Sequence, residues 1–419
     1  MIKDLIIIKR DGREKTYNSE RIESAIKNAY LDVYDNDIRF KDEYNFLMPM
    51  IEHSIADLHK NKIDVEEVQD IVVKCLFKIN NIVARSYEDY RKEREEERIK
   101  NSKKEQFYKE VLECSNVDND NANVDQHSFS GRKYRITDYE QKLFALRNLI
   151  SKEGKKAFEN GEIYYHDLAS YAIGEFNCMN LMVENGFKYG FKTRNGGVRG
   201  ANSFSTACQL LAVMFQLESQ CQFGGVGASA LDFQLEPYVK KSFKKHYIEG
   251  LIWFENKTKD EANNILGNLL MNIDDEKYKN MSKKAYKYAL AQLDKEGFQS
   301  CEALYHNLNT LESRAGSQLP FTSINLGRNT TIEGKLINKW IFNASLQGIG
   351  KDHRTSIFPI SIFQYKKGIN AHKGDPNYDI KKLAINSLCH RIYPNFVNGD
   401  YKQVVENPND YNTFFATMG

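Results

Sequence analysis

Between residues 91 and 105 the chain carries seven basic and five acidic side chains, densest at Arg91-Lys92-Glu93-Arg94-Glu95-Glu96-Glu97-Arg98. Mixed charge at this density stays out of a core and forms a solvated helix face or a linker. The run therefore divides the 419 residues into a small N-terminal unit and a larger remainder, each with a core of its own. Because its acids cancel its bases, it makes a poor nucleic-acid patch.

The segment before the run has the pattern of a compact α+β unit. Leu5-Ile6-Ile7-Ile8 reads as a strand, Asp11-Gly12 as a tight turn, and Glu14 to Tyr17 as the returning strand of a hairpin. Asn18 or Ser19 then caps a helix whose apolar positions Ile22, Ala25, Ile26, Ala29 and Tyr30 share one face. A second helix is expected over 43–58. A third opens at Asp64, with Glu67 in capping-box spacing and a stripe of Val68, Ile71, Val72, Cys75, Leu76 and Ile79. A fourth begins near Ile82 and runs into the charge. From Cys114 onward a polar, Asn-rich stretch gives way to alternating helix-like and strand-like segments, the pattern of a mixed α/β domain without a fixed repeat.

Bulk properties narrow the function classes. A net charge of +2 gives no electrostatic ground for a nucleic-acid partner. The longest apolar run, Leu210 to Phe215, is far short of a membrane span, so no membrane association is expected. Met1-Ile2-Lys3-Asp4 lacks a signal-peptide pattern. Seven cysteines without regular spacing point to free thiols and a cytoplasmic setting. With no Cys-x-x-Cys pair, no metal site is expected. The last residues follow a core-like run, Ile392-Tyr393-Pro394-Asn395-Phe396-Val397, then a polar loop, then Phe414-Phe415-Ala416-Thr417-Met418-Gly419. That order reads as a fold cut in mid-course, a natural terminal strand being the plain alternative.

Lys9-Arg10-Asp11-Gly12 sets two cations at the hairpin tip, with Arg21 on the following helix. Such cations grip polyphosphate through charge-assisted hydrogen bonds, although charged hairpin tips are also common surface features. The hairpin followed by about four helices resembles the ATP-cone, the regulatory nucleotide-binding module of ribonucleotide reductases. Ile7 stands where Val is common. The resemblance implies that Lys9, Arg10 and Arg21 contact the phosphates of ATP or dATP as allosteric effectors. Gln69 falls where some relatives carry His, as a base or ribose contact.

A second set of motifs lies beyond the charge run. Asn116-Val117-Asp118 through Asn123-Val124-Asp125, closing with Ser128-Phe129-Ser130-Gly131-Arg132, reads on its own as a polar surface loop. With Gly161 to Leu168, Phe176-Asn177-Cys178, Asn202 to Gln209 and Cys221-Gln222-Phe223-Gly224-Gly225 it forms an ordered series. His306 to Thr310, Ser313-Arg314-Ala315-Gly316, Ile357 to Ile360 and Arg391 to Phe396 continue it. The series resembles the catalytic domain of the anaerobic, class III, glycyl-radical ribonucleoside-triphosphate reductases. Taken alone, Cys178 reads as a packed core thiol at the end of a buried strand, Tyr171 to Phe176, because free cysteine is among the most buried residue types. The resemblance instead makes Cys178 the thiol that donates hydrogen as the ribose 2′ carbon is reduced. Formate is the co-substrate, and Asn177 hydrogen-bonds formate or substrate. His166 is a substrate-site candidate, or a structural histidine.

Asn202, Ser203 and Ser205 precede an apolar helix, Ala207 to Leu217. They read either as helix caps or as a site for the substrate triphosphate at a helix N-terminus. Gly224-Gly225-Val226-Gly227 is not a P-loop, since no Gly-Lys-Ser/Thr follows. Cys208 and Cys221 read as structural thiols.

The expected architecture is therefore a mixed fold. A small α+β ATP-cone (β-hairpin plus about four helices) spans 3–95 and a charged linker 96–114. The first half of an α/β ten-stranded glycyl-radical-enzyme barrel spans 115–419. In the family a radical cysteine follows the Thr-Met-Gly segment, and a zinc site and a glycyl-radical loop lie further on; no Arg-Val-Cys-Gly-type segment occurs here. The resemblance thus implies an N-terminal portion, inactive without a complementary C-terminal half. A split gene, an intervening element or a truncated product would each account for it. It also implies a radical S-adenosylmethionine activating enzyme as partner and a homodimeric complete enzyme. The alternative is a non-catalytic nucleotide-sensing or oligomerisation fragment.

Overall fold

A computed structural model describes residues 4–10, 12–36, 38–115, 123–267, 270–401, 406 and 410–412. Asp11 of the hairpin tip, residues 116–122 of the Asn-rich stretch and the closing residues 413–419 lie outside this set. The chain divides into two compact units, Met1–Glu113 and Cys114–Gly419.

In the first unit β1 (Ile6–Ile8) turns back antiparallel into β2 (Glu14–Thr16). Helix α1 (Ser19–Tyr34) starts where Asn18 accepts a hydrogen bond from Glu20 N at 2.8 Å. Helix α2 (Ile38–Ala56) begins a turn earlier than the sequence suggested. A third strand, β3 (Lys62–Asp64), is an addition to the expected hairpin. It pairs parallel with β1, Ile7 opposite Ile63, and gives the order β2-β1-β3. Helix α3 (Val65–Ile79) follows it directly. The expected capping box is absent: Asp64 makes no side-chain cap, and Glu67 turns to Lys60 Nζ at 2.7 Å. Helix α4 (Asn81–Lys100) carries the charge run as a solvated rod, and α5 (Lys103–Glu113) continues the helical path. The stripes of α1 and α3 meet as read, with Ile26, Tyr30, Val68, Val72 and Leu76 buried in one core with Leu47 and Ile51 of α2.

The second unit begins with α6 (Phe129–Asn148), α7 (Lys152–Glu159) and α8 (Leu168–Ile173). Here the structure corrects the sequence: of the stretch read as a buried strand, Tyr171 to Phe176, the first three residues end α8, and only Phe176 pairs as a strand would, in a single parallel bridge with Gln222. Gly174 closes that helix in the left-handed region at φ 75°, and Tyr171, Ile173 and Phe176 are exposed. There follow β4 (Met179–Asn180), α9 (Val183–Tyr189), a hairpin of β5 (Phe191–Thr193) and β6 (Gly196–Val198), and α10 (Phe204–Glu218). Next come β7 (Val226–Ala228), α11 (Leu231–Gln234), α12 (Glu236–Glu255), α13 (Lys259–Leu266), α14 (Glu276–Met281) and α15 (Lys283–Thr310). The remaining elements are β8 (Thr322–Leu326), α16 (Ile332–Gln347), β9 (Ile360–Tyr365), α17 (Tyr378–Arg391) and β10 (Asn395–Asn398).

Five strands form one parallel sheet in the order β10-β9-β8-β7-β4. Parallel neighbours need crossovers, and α10, α12, α15, α16 and α17 lie in those connections. The helices pack tightly. At Gly250 of α12 an added Cβ would stand 2.8 Å from the Ala285 Cα of α15, so only glycine permits this approach. One large core joins the sheet residues Val226, Ile324 and Phe363 to Phe204, Leu211, Phe243, Leu304 and Trp340 of the helices.

Candidate functional site

In the first unit the four residues that the sequence proposed for phosphate or ribose contact line a single cavity. Lys9 and Arg10 leave the end of β1, Arg21 stands in the first turns of α1, and Gln69 lies in α3; all four border a space of ≈ 570 Å³. That volume lies within the range of small-molecule pockets. Arg10 Nη2 donates to Gln69 Oε1 at 3.2 Å, and Arg10 Nε donates to Glu66 Oε1. Glu66 also accepts from Arg91 Nη2 of α4 at 2.6 Å, while Arg91 Nη1 reaches Asp70 Oδ1 at 2.6 Å. Burial alone would raise the Glu66 carboxyl, but the hydrogen bonds and charges of Arg10 and Arg91 outweigh it and hold the group below the usual carboxylate range.

Sequence reasoning missed other lining residues, Lys15, Tyr17 and Tyr87 among them. The Tyr17 hydroxyl is buried without a partner, and burial, aided by Glu52, pushes its pKa up to about 12. It stays a neutral donor across the ordinary pH range. Lys15 had a signal, since it pairs with Ile7 across the hairpin.

In the second unit several of the motifs converge. Phe176-Asn177-Cys178 runs beside Cys221-Gln222-Phe223-Gly224-Gly225: Phe223 N donates to Phe176 O at 2.9 Å and Met179 N to Gly225 O at 2.9 Å. Cys178 is exposed, which overturns its reading as a packed thiol. Its Sγ accepts from Gly225 N at 3.3 Å and lies 3.5 Å from Asn177 Oδ1. An added Cβ at Gly224 would stand 2.6 Å from this sulfur, so the glycines keep the thiol uncovered. Cys221 is exposed as well, and only Cys208 fits the expected buried structural thiol.

Arg314, inside the Ser313-Arg314-Ala315-Gly316 motif but not singled out by sequence, braces the same loop. It donates to Phe223 O at 2.7 Å and to Gly224 O at 3.3 Å, with its guanidinium 3.9 Å from the centre of the Phe321 ring. Burial lowers its hold on its proton, countered by nearby Tyr134, Glu175, Asp167 and Cys178. Ser130 of the earlier motif accepts from Gly316 N at 3.1 Å. His166 is exposed, with Nδ1 against Asp167 Oδ2 and its ring 6.4 Å from that of Phe223. It thus stands beside the loop that borders the thiol.

Asn202, Ser203 and Ser205 are not brought to Cys178. Ser203 caps α10 by accepting from Thr206 N at 3.1 Å, and Ser205 N donates to Glu296 Oε1 at 3.2 Å. The 15 residues of α10 span about 22 Å between these groups and the end that leads to Cys221. Ser203 and Ser205 instead border a separate recess with Lys245, His246 and Glu296. The helix N-terminus already meets an anion, the Glu296 carboxylate. No group of three or more His, Cys, Asp or Glu among the described residues could hold a metal ion.

Two protein families match the chain, one over each unit. The ATP cone domain family matches residues 5–96, and the anaerobic ribonucleoside-triphosphate reductase family matches residues 120–419. The chain is 32% identical over 407 residues to the anaerobic ribonucleoside-triphosphate reductase of Haemophilus influenzae, covering 96% of this chain and 52% of that protein. Against the Escherichia coli protein of the same name it is 30% identical over 411 residues, covering 97% of this chain and 53% of that one. The chain thus spans about half the length of the curated relatives it matches. A crystal structure of the anaerobic ribonucleotide reductase from Thermotoga maritima, with dATP bound in the specificity site, aligns with a TM-score of 0.46 at 16% identity, over 71% of this chain and 47% of that one. By the match over residues 120–419, the chain belongs to the anaerobic ribonucleoside-triphosphate reductase family, with an ATP cone domain ahead of the reductase region.

Proposed function

We propose that this chain is the N-terminal portion of a reductase that makes deoxyribonucleoside triphosphates from ribonucleoside triphosphates under the control of ATP or dATP. The observation that carries this reading is the convergence of Phe176–Cys178, Cys221–Gly225 and Ser313–Gly316 on one exposed thiol. A hydrogen donor to a sugar has to be uncovered, and the glycines beside Cys178 leave it so. Arg314, held by two carbonyls, fixes the loop and sets a positive charge near the sulfur. Cys178 is assigned as the hydrogen donor to the ribose, Asn177 as its hydrogen-bonding neighbour, and His166 to the rim. Formate serves as reductant: it loses two electrons and leaves as carbon dioxide, while the 2′ hydroxyl leaves as water. The glycyl radical and the zinc site are assigned to sequence outside these 419 residues, as is the rest of a ten-stranded barrel. Turnover is assigned to the chain acting with that complementary half, as a homodimer activated by a radical S-adenosylmethionine enzyme.

The cavity of the first unit is assigned to the effector, with Lys9, Arg10 and Arg21 on phosphate and Gln69 on base or ribose. The capped and carboxylate-filled end of α10 makes Asn202, Ser203 and Ser205 the weaker part of the substrate assignment.

Isothermal titration with ATP tests the effector site. The Lys9→Ala/Arg10→Ala double variant is expected to lose affinity on the order of 100-fold, since each charge-assisted contact contributes about 1.5–3 kcal/mol. Unchanged affinity would remove the phosphate assignment. For the thiol, mixing the chain with the complementary half and the activating enzyme is expected to yield formate-dependent deoxynucleotide that Cys178→Ser abolishes.

A further inference from the structure

The parallel sheet of the second unit has two unlike faces. One meets the helices: Val226 and Ala228 of β7, Ile324 and Leu326 of β8 and Phe363 of β9 belong to the main core. On that side Tyr305 of α15 lies 3.2 Å from Ser361 Oγ, and the ring of Phe342 of α16 lies 6.2 Å from that of Phe363. Strand residues alternate between faces, and residues in register on neighbouring strands share one. The register Asn180↔Gly227↔Ser323 therefore sets these three on the opposite face. Cys178, two residues before Asn180, falls on the same side by the same alternation.

A parallel sheet usually carries apolar side chains on both faces. Here the second face of β4, β7 and β8 carries Asn180, Gly227, Ser323 and Asn325, and it turns apolar only at β9, where Ile360 stands opposite Ser323 and Ile362 opposite Asn325. Asn325 is satisfied, with Nδ2 donating to Ala228 O at 3.0 Å and Oδ1 accepting from Gln364 Nε2 at 3.2 Å. Two buried atoms are not: Asn180 Oδ1 and Ser323 Oγ have no partner, and Ser323 is 0% exposed. Buried polar atoms are rarely left unpaired unless a ligand or water completes them. Gly227, lacking a side chain, lies between them, and two strand spacings put their Cα atoms roughly 9–10 Å apart.

We infer that Asn180 and Ser323 are substrate-binding, specificity-determining residues that receive the ribose hydroxyls of a ribonucleotide whose sugar faces Cys178. The inference rests on the reductase reading above. A carbonyl oxygen and a hydroxyl oxygen both accept from a sugar hydroxyl, whereas the carbonyl oxygen repels the oxygens of phosphate or formate. A sugar lacking those hydroxyls leaves the two groups unpaired again, so the pair discriminates ribose from its dideoxy analogue.

The test is protection of Cys178 in the 419-residue chain from iodoacetamide, read by peptide mass spectrometry against a titration of CTP. CTP is expected to slow alkylation, and 2′,3′-dideoxy-CTP, which loses both contacts, to need about 100-fold more for equal protection. Asn180→Ala and Ser323→Ala should each raise the half-protecting CTP concentration by about 10-fold. The alkylation rate without nucleotide should stay unchanged, which reports an intact fold around the thiol. Thr322→Val removes an equally orphaned hydroxyl on the helix face and should change nothing. Should the alanine variant unfold, Ser323→Cys, which keeps the volume, carries the same expectation. Equal protection in the natural chain and both variants overturns the inference and leaves the reductase reading standing. Failure of CTP to protect Cys178 in the natural chain, both alone and mixed with the complementary half, overturns both.

Discussion

A methyl group at Gly224 would sit 2.5 Å from Asn177 Oδ1 and 2.6 Å from Cys178 Sγ. Neither neighbour can yield without disturbing the other, so Gly224→Ala is expected to cost about 1–3 kcal/mol and to displace the thiol. Thermal unfolding and the rate of Cys178 alkylation check this; a variant that matches the natural chain in both would show that the loop adapts. The same glycine explains what sequence reasoning on Cys178 got wrong when it used burial statistics alone. A free thiol is usually covered, but here two adjacent glycines supply nothing to cover it. That Lys9, Arg10, Arg21 and Gln69 border one cavity was legible, because each lies at a predictable place on a hairpin or helix. Arg314 and Tyr17 were not, since their roles come from partners far away in sequence.

At the scale of elements, His246 joins α12 to α15. Its Nδ1 lies 2.9 Å from Glu249 Oε2 of its own helix and its Nε2 2.7 Å from Glu296 Oε2 of α15, while Ser242 also donates to Glu296. Burial lowers the imidazole pKa, but the two carboxylates outweigh it and raise it above the ordinary 6.5. A raised histidine stabilises fully below its unfolded value and loses that contribution as pH rises through the folded one. The second unit is therefore expected to melt at lower temperature at pH 8.5 than at pH 6, beyond any drift seen in His246→Gln. Identical pH slopes in the two proteins would refute the linkage. Lys245 and Lys295 border the same recess, so the comparison is best made at fixed salt. Helices with apolar stripes, such as α1 and α3, could be read directly. Strand β3 could not: of its three residues only Ile63 is apolar, and its pairing with β1 is decided by the fold. Tyr171 to Phe176 looked strand-like from its apolar residues, but Gly174 and the solvent-facing Tyr171 belong to a helix end.

For the whole molecule the charge run is not a linker between the units: it lies in α4 and α5 of the first unit, and the two units, each with its own hydrophobic core, part at Glu113 and Cys114. Calorimetry of the chain is expected to show two transitions, and ATP at 100 times its Kd should stabilise one of them by about 2.7 kcal/mol. A single transition that shifts as one would contradict this. The order β10-β9-β8-β7-β4 was beyond sequence reading, because parallel pairing leaves no local turn signal and depends on crossovers. The motif series was readable, but not that its members meet at Cys178. One consequence concerns the effector cavity. Arg10 already holds Glu66, which also holds Arg91. An incoming phosphate thus exchanges one anion for another and leaves Glu66 to Arg91 alone. The measured affinity is then a difference between two strong interactions and understates the grip on phosphate. Glu66→Gln, by withdrawing the competitor, should tighten ATP binding.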